Sequence, residues 1–153
     1  MHRTRAAGHT PRSEDYLEAV YHLMHEKGYA STVDISVKLK VKPPTVSSMI
    51  ERLASEGYLE HELYRGMSLT KKGEKQARAV IRRHAAIYDL LTMLGIENGV
   101  AYEDAEGMEH HIHPETIQMI ERLVNYLKSN PESLSLMKRY TSGQSSETAP
   151  LTS

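Results

Sequence analysis

A mainly α-helical chain with one small β-hairpin is predicted by three observations. Apolar residues recur at three- and four-residue spacing through most of the sequence, and the period changes only around residues 58–70. Gly, Pro and small polar residues fall where these periodic segments should begin and end. The 153 residues, 39% of them hydrophobic and 25% charged, suffice for one core or for two small subdomains sharing one.

The first helix is expected from Ser13 to Lys27, with Ser13 as N-cap and Glu14 and Asp15 in the first turn, where the helix dipole favours them. Tyr16, Leu17, Val20, Leu23 and Met24 form its apolar face, and Gly28 stops it. A shorter helix is expected from Thr32 or Val33 to Leu39, partly burying Val33, Ile35, Val37 and Leu39. Pro43-Pro44 opens a third, with Val46, Met49, Ile50 and Leu53 on one face and an end near Gly57. Residues 58–63 and 67–70 flank Tyr64-Arg65-Gly66 as a short hairpin. Thr70 then caps a long helix from Lys71 to about Leu94, closed by Gly95. A further helix covers roughly Val100 to His111, and His113-Pro114 starts another that runs to about Ser129. Asn130-Pro131-Glu132 opens a short last helix. The Ser/Thr/Gly/Pro/Gln composition from residue 141 reads as a disordered tail, and residues 1–12 as a flexible arm.

Three helices and a hairpin are the order of a winged helix-turn-helix, here residues 13–72, whose third helix enters the major groove. The formal charge of −1 conceals an asymmetry. Residues 1–83 carry fifteen Lys and Arg against ten Asp and Glu, and residues 84–153 carry four against ten. A basic half of this kind suits double-stranded DNA. At the start of the third helix, Pro44, Thr45, Ser47 and Ser48 stand where short side chains reach bases or phosphates, beside Lys42. Arg65 at the hairpin tip and Lys71 and Lys72 at the long helix's N-terminus add phosphate contacts.

The acidic half, residues 84–153, holds the densest run of potential metal ligands, Glu103 to His111, within a helical second domain expected over residues 73–140. Glu106, Glu109 and His110 are three and four apart, so a helix puts them on one face. Asp15 and Glu18 form a second such pair on the first helix, and His84 is a lone imidazole on the long one. Crowded carboxylates need a positive partner when sheltered, and a divalent cation supplies it. Oxygen and imidazole donors without sulfur suit Mn²⁺ or Fe²⁺ rather than Cu(I). The chain has no cysteine, which removes disulfides, thiolate nucleophiles and iron–sulfur clusters. His22 and His25 continue the stripe of Asp15 and Glu18 and read as surface residues.

These segments resemble the diphtheria-toxin-repressor family of metal-dependent transcription regulators, in its manganese-responsive branch. The resemblance spans about residues 13–130. It is carried by Ser-Glu-Asp-Tyr-Leu-Glu (13–18), Glu-Lys-Gly-Tyr-Ala (26–30), Tyr-Arg-Gly (64–66), Leu-Thr-Lys-Lys-Gly (69–73), Arg-His (83–84) and Asp-Ala-Glu-Gly-Met-Glu-His-His (104–111). It implies a helical metal-binding and dimerisation domain behind the winged helix. It also implies a binuclear site between the first helix, the long helix and the acidic helix, with two Mn(II) per subunit. Its ligands would be Asp15, Glu18, His84, Glu106, Glu109 and His110. The iron-responsive branch has methionine where Asp15 stands and cysteine where Glu106 stands, so the carboxylates point to manganese. Pro43-Pro44 and the basic extension with Arg3, Arg5 and Arg12 depart from the family pattern.

The expected function is a cytoplasmic, homodimeric repressor of metal-uptake genes that reads a palindromic operator and contains no enzyme site. Alternatives are an iron-responsive or small-ligand winged-helix regulator, or a carboxylate-rich metal store. The store is disfavoured because no Glu is followed by His three residues later. The dimer contact is expected on the apolar faces around Ile87–Leu94 and Ile117–Leu127. No apolar run approaches the roughly 20 residues of a membrane span.

Overall fold

The short helix α2 (Thr32–Leu39) shows how the sequence was sorted into inside and outside. Its apolar residues Val33, Ile35, Val37 and Leu39 alternate, and a helix cannot bury an alternating set on one face. Ile35 is fully buried, Leu39 is half-buried, and Val33 and Val37 are exposed, contrary to the expected partial burial of all four. In this computed structural model, which describes residues 11–62 and 66–143, the chain divides into two compact units between Ile81 and Arg82. Arg65, residues 1–10 and residues 144–153 lie outside the described residues.

In the first unit, α1 (Ser13–Lys27), α2 and α3 (Pro43–Ser55) precede an antiparallel hairpin, β1 (Leu59–Glu62) and β2 (Gly66–Leu69). The N-cap of α1 is Arg12 and not Ser13. The backbone N–H of Arg12 donates to Asp15 Oδ2 at 2.6 Å, so the carboxylate at the third helical position fills one half of a capping box. In α2, Ser31 Oγ accepts from the N–H of Asp34 and donates to its carboxylate, and Lys27 Nζ donates to the same carboxyl at 3.0 Å. These bonds hold the Asp34 carboxyl below its ordinary pKa, and the Lys27 ammonium is raised in turn.

Tyr16, Leu17, Val20 and Leu23 of α1, Ile35 of α2, Val46, Ile50 and Leu53 of α3, Leu59 and Met67 of the hairpin, and Ala77 form one core. Each large member contributes about 1.5–3 kcal/mol through burial. β2 is tied to the α1–α2 connection: Met67 N–H donates to Ala30 O at 3.1 Å. Gly66, at φ 78°, lies against that same carbonyl, and a Cβ there would overlap its oxygen. Thr70 caps α4 (Lys71–Met93) by accepting from Gly73 N–H at 3.1 Å, and its hydroxyl donates to Gly57 O at 2.6 Å.

The second unit holds the rest of α4 with α5 (Asn98–Met108), α6 (Pro114–Ser129) and α7 (Pro131–Thr141). Ile87, Ala105 and Ile117 form its buried cluster, with Tyr88, Leu91 and Ile112 packed against it. Ion pairs Arg82–Glu121 (3.0 Å) and Lys128–Asp89 (2.7 Å) link α4 to α6. α5 begins two residues before the expected Val100, because Glu97 accepts from the N–H groups of Gly99 and Val100. These bonds hold the Glu97 carboxyl below its ordinary pKa. α5 also ends earlier than the expected His111: His111 N–H turns back to Met108 O at 3.0 Å. α7 includes Thr141, read from sequence as the first tail residue, because its hydroxyl donates to the Met137 and Lys138 carbonyls.

Candidate metal centre and nucleic-acid face

Three predicted ligands meet within the second unit. His84 stands on α4, Glu106 on the last full turn of α5, and Glu109 just after α5 with helical backbone angles of −58° and −29°. The three-residue spacing therefore still puts Glu106 and Glu109 on one face, although the helix itself stops at Met108. His84 Nδ1 lies 3.5 Å from Glu106 Oε1 and 3.4 Å from Glu109 Oε2. Ligand atoms of these three residues all lie within 4.8 Å of one another, close enough to share a cation. His110, beyond the helix end, brings Nε2 to 3.4 Å of Glu109 Oε1.

Glu109 is 1% exposed, and neither of its carboxylate oxygens accepts a hydrogen bond from a described residue. A buried carboxylate in that condition is costly by several kcal/mol, and the two imidazole nitrogens at its oxygens are the donors a divalent cation takes alongside it. Two carboxylates with two imidazoles and no sulfur suit Mn²⁺, Fe²⁺ or Zn²⁺. The residues present fit a metal. Two tyrosines set the His84 ring. Tyr88, one turn further along α4, lies nearly parallel to it at 6.3 Å, and Tyr102 of α5 meets it edge-on at 4.9 Å. Neither was singled out from the sequence, although each stands four residues from a predicted ligand.

The other predicted pair, Asp15 and Glu18, lies in the first unit, one turn apart on α1. Asp15 is buried and caps its own helix. Burial, and secondarily the Asp15 charge, pushes the neighbouring Tyr16 phenol above its ordinary pKa.

On α3, Lys42 is the N-cap, and Lys42, Pro44, Thr45, Ser47 and Ser48 are all exposed, whereas Val46, Ile50 and Leu53 face the core. The N-cap and first two turns of α3 thus expose a cation and three hydroxyls, while Val46 and Ile50 turn to the core. Lys71 is exposed at the start of α4. Lys72 is engaged within the unit: its ammonium donates to Glu56 O at 2.9 Å and lies 4.3 Å from the centroid of the Tyr58 ring.

Residues 9–67 match the N-terminal DNA-binding domain of iron-dependent repressors, and residues 70–136 match their metal-binding and dimerisation domain. The chain belongs to the iron-dependent repressor family. It is 41% identical over 123 residues to the HTH-type transcriptional regulator MntR of Lysinibacillus sphaericus, covering 80% of this chain and 88% of that one. The MntR of Shouchella clausii is 42% identical over 121 residues, covering 79% and 85%. Among solved structures, the manganese regulator SloR superposes with a TM-score of 0.70 at 31% identity, over 77% of this chain and 55% of that one. IdeR of T. acidophilum gives 0.69 at 34% identity, over 76% and 55%. The chain thus spans about half the length of those two solved proteins. As a family member it is a DNA-binding transcriptional regulator with a metal-binding and dimerisation domain, and it is not an enzyme. Among the described residues no helix is long and apolar enough to cross a membrane.

Proposed function

We propose that this protein is a cytoplasmic, manganese-dependent repressor of metal-uptake genes, binding a palindromic operator as a homodimer. The observation that carries the reading is Glu109, a buried carboxylate with no hydrogen bond from a described residue and with an imidazole at each oxygen. The proposed ligands are Asp15, Glu18, His84, Glu106, Glu109 and His110, holding two cations per subunit. His84, Glu106 and Glu109 stand within cation-sharing distance of one another. Asp15 and Glu18 rest on the family resemblance. Carboxylates at Asp15 and Glu106, where the iron-responsive branch has Met and Cys, favour the harder ion.

The cation supplies the positive charge that these crowded carboxylates lack. With ligands contributed by α1 as well as by α4 and α5, metal binding narrows the range of conformations open to the chain. A narrower range raises the fraction of dimers whose two α3 helices are spaced for successive major grooves, about 34 Å or a multiple apart. Lys42, Pro44, Thr45, Ser47 and Ser48 then face the DNA, with Arg65, Lys71 and Lys72 toward phosphates. Lys72 would first have to leave the Glu56 carbonyl.

The dimer contact is expected on α6, where the apolar residues divide. Ile117, Val124 and Leu127 are buried inside the unit, whereas Met119, Leu123 and Tyr126, at helical spacing, are exposed. The second set suits another copy of the chain.

The test is to incubate immobilised protein with fragments of its own genome, with and without Mn²⁺, and to sequence what is retained. The expected result is a few palindromic promoter fragments retained only with Mn²⁺. Equal retention without metal would sink the metal-gated reading.

A further inference from the structure

Two histidines extend the acidic stripe of α1, and the structure separates their roles. His25 Nδ1 lies 2.8 Å from the Tyr21 carbonyl oxygen, and its ring stacks on Tyr21 with centroids 4.1 Å apart. It is engaged with its own helix. His22, one turn after Glu18, brings Nε2 to 3.5 Å of Glu18 Oε1. The Tyr21 ring meets the His22 ring edge-on at 5.8 Å and 83°, which limits its rotation. The Glu18 side chain is 13% exposed and that of His22 is 40% exposed, so the imidazole stands on the wet side of a sheltered carboxylate. Both lie inside the continuous helix Ser13–Lys27, so their four-residue spacing keeps them side by side.

A carboxylate that gives one oxygen to a cation has lone pairs left on the other. Ligating carboxylates are commonly held there by an outer hydrogen-bond donor that fixes their orientation. We propose that His22 is a positioning residue for Glu18: its ring N–H holds one carboxylate oxygen and leaves the other aimed at the divalent cation. The inference rests on Glu18 being a ligand of the metal centre. It assigns to His22 a part in metal affinity that the family pattern does not give it.

The test compares the full chain with His22→Ala, His22→Gln and Glu18→Ala. Mn²⁺ affinity is measured by competition with a chelating dye, and unfolding temperature is measured without metal. Pulsed electron paramagnetic resonance counts the imidazole nitrogens on bound Mn²⁺. His22→Ala is expected to weaken Mn²⁺ binding about tenfold. His22→Gln, whose amide N–H reaches to a similar place, restores most of the affinity. Metal-free unfolding temperatures coincide, and the nitrogen count does not change. Unchanged affinity in His22→Ala, with Glu18→Ala weakened, removes the role of His22 and leaves Glu18 as a ligand. A lost nitrogen in His22→Ala makes His22 a ligand itself and overturns the positioning role. Unchanged affinity in Glu18→Ala removes the ligand assignment, and the role of His22 falls with it.

Discussion

The Glu109 carboxylate is 1% exposed, and neither of its oxygens accepts a hydrogen bond from a described residue. Glu109→Gln keeps the shape and removes the charge. Without metal, its unfolding temperature should equal or exceed the parent's, since a neutral amide costs less to desolvate at a buried site than a carboxylate. Its Mn²⁺ affinity should fall by about tenfold or more, read by calorimetric titration. A variant that is less stable without metal yet binds Mn²⁺ as tightly would assign Glu109 to the fold instead. At this scale the sequence exposed the spacing of Glu106 and Glu109, but not that the Glu109 oxygens accept no hydrogen bond from a described residue, which only the packed structure fixes. It also missed that Asp15 caps α1. Ser13 has the better intrinsic preference for an N-cap, and Asp15, three positions after Arg12, outcompetes it by reaching back to the Arg12 N–H.

Among the elements, the order of helices and hairpin was legible because each boundary has a local chemical cause: Gly28 after α1, Pro43-Pro44 at α3, Thr70 at α4 and Pro114 at α6. The alternating apolar residues of α2 were misread, since alternation says nothing of which half of a helix meets a core. The end of α5 was misread as well, because no Gly or Pro stands where the His111 N–H closes it. Gly66 couples β2 to the Ala30 carbonyl, and Gly66→Ala meets both the positive φ and that oxygen. It should lower stability by about 1–3 kcal/mol in denaturant unfolding, where an ordinary exposed Gly→Ala change is near neutral. Asp34 makes a pH-dependent prediction. Its carboxyl is held below the ordinary value by Lys27 and Ser31, so the stability it contributes is present above the unfolded-state pKa and is lost as pH falls through the folded one. The stability gap between the parent and Asp34→Asn should therefore be full near neutrality and narrow below about pH 4. A gap that widens in acid would contradict the assignment.

Across the whole molecule, the basic first unit and the ligand-bearing second unit follow the charge division visible along the chain, with the excess of Lys and Arg ending near residue 83. Which apolar side chains of α6 face the unit's own interior was not legible, because the buried Ile117, Val124 and Leu127 and the exposed Met119, Leu123 and Tyr126 are both apolar sets at helical spacing. Leu123→Glu should turn a dimer into a monomer in sedimentation equilibrium, with helix content unchanged by circular dichroism. A dimer that persists in that variant would place the contact elsewhere. The central claim is that metal held by His84, Glu106 and Glu109 governs DNA binding. It is tested most directly by fluorescence anisotropy on a retained promoter fragment, titrated with the parent and with Glu109→Gln, each with and without Mn²⁺. The account predicts that Mn²⁺ tightens binding by the parent at least about tenfold and leaves Glu109→Gln at the parent's metal-free affinity. An equal response to Mn²⁺ in the two proteins would contradict it.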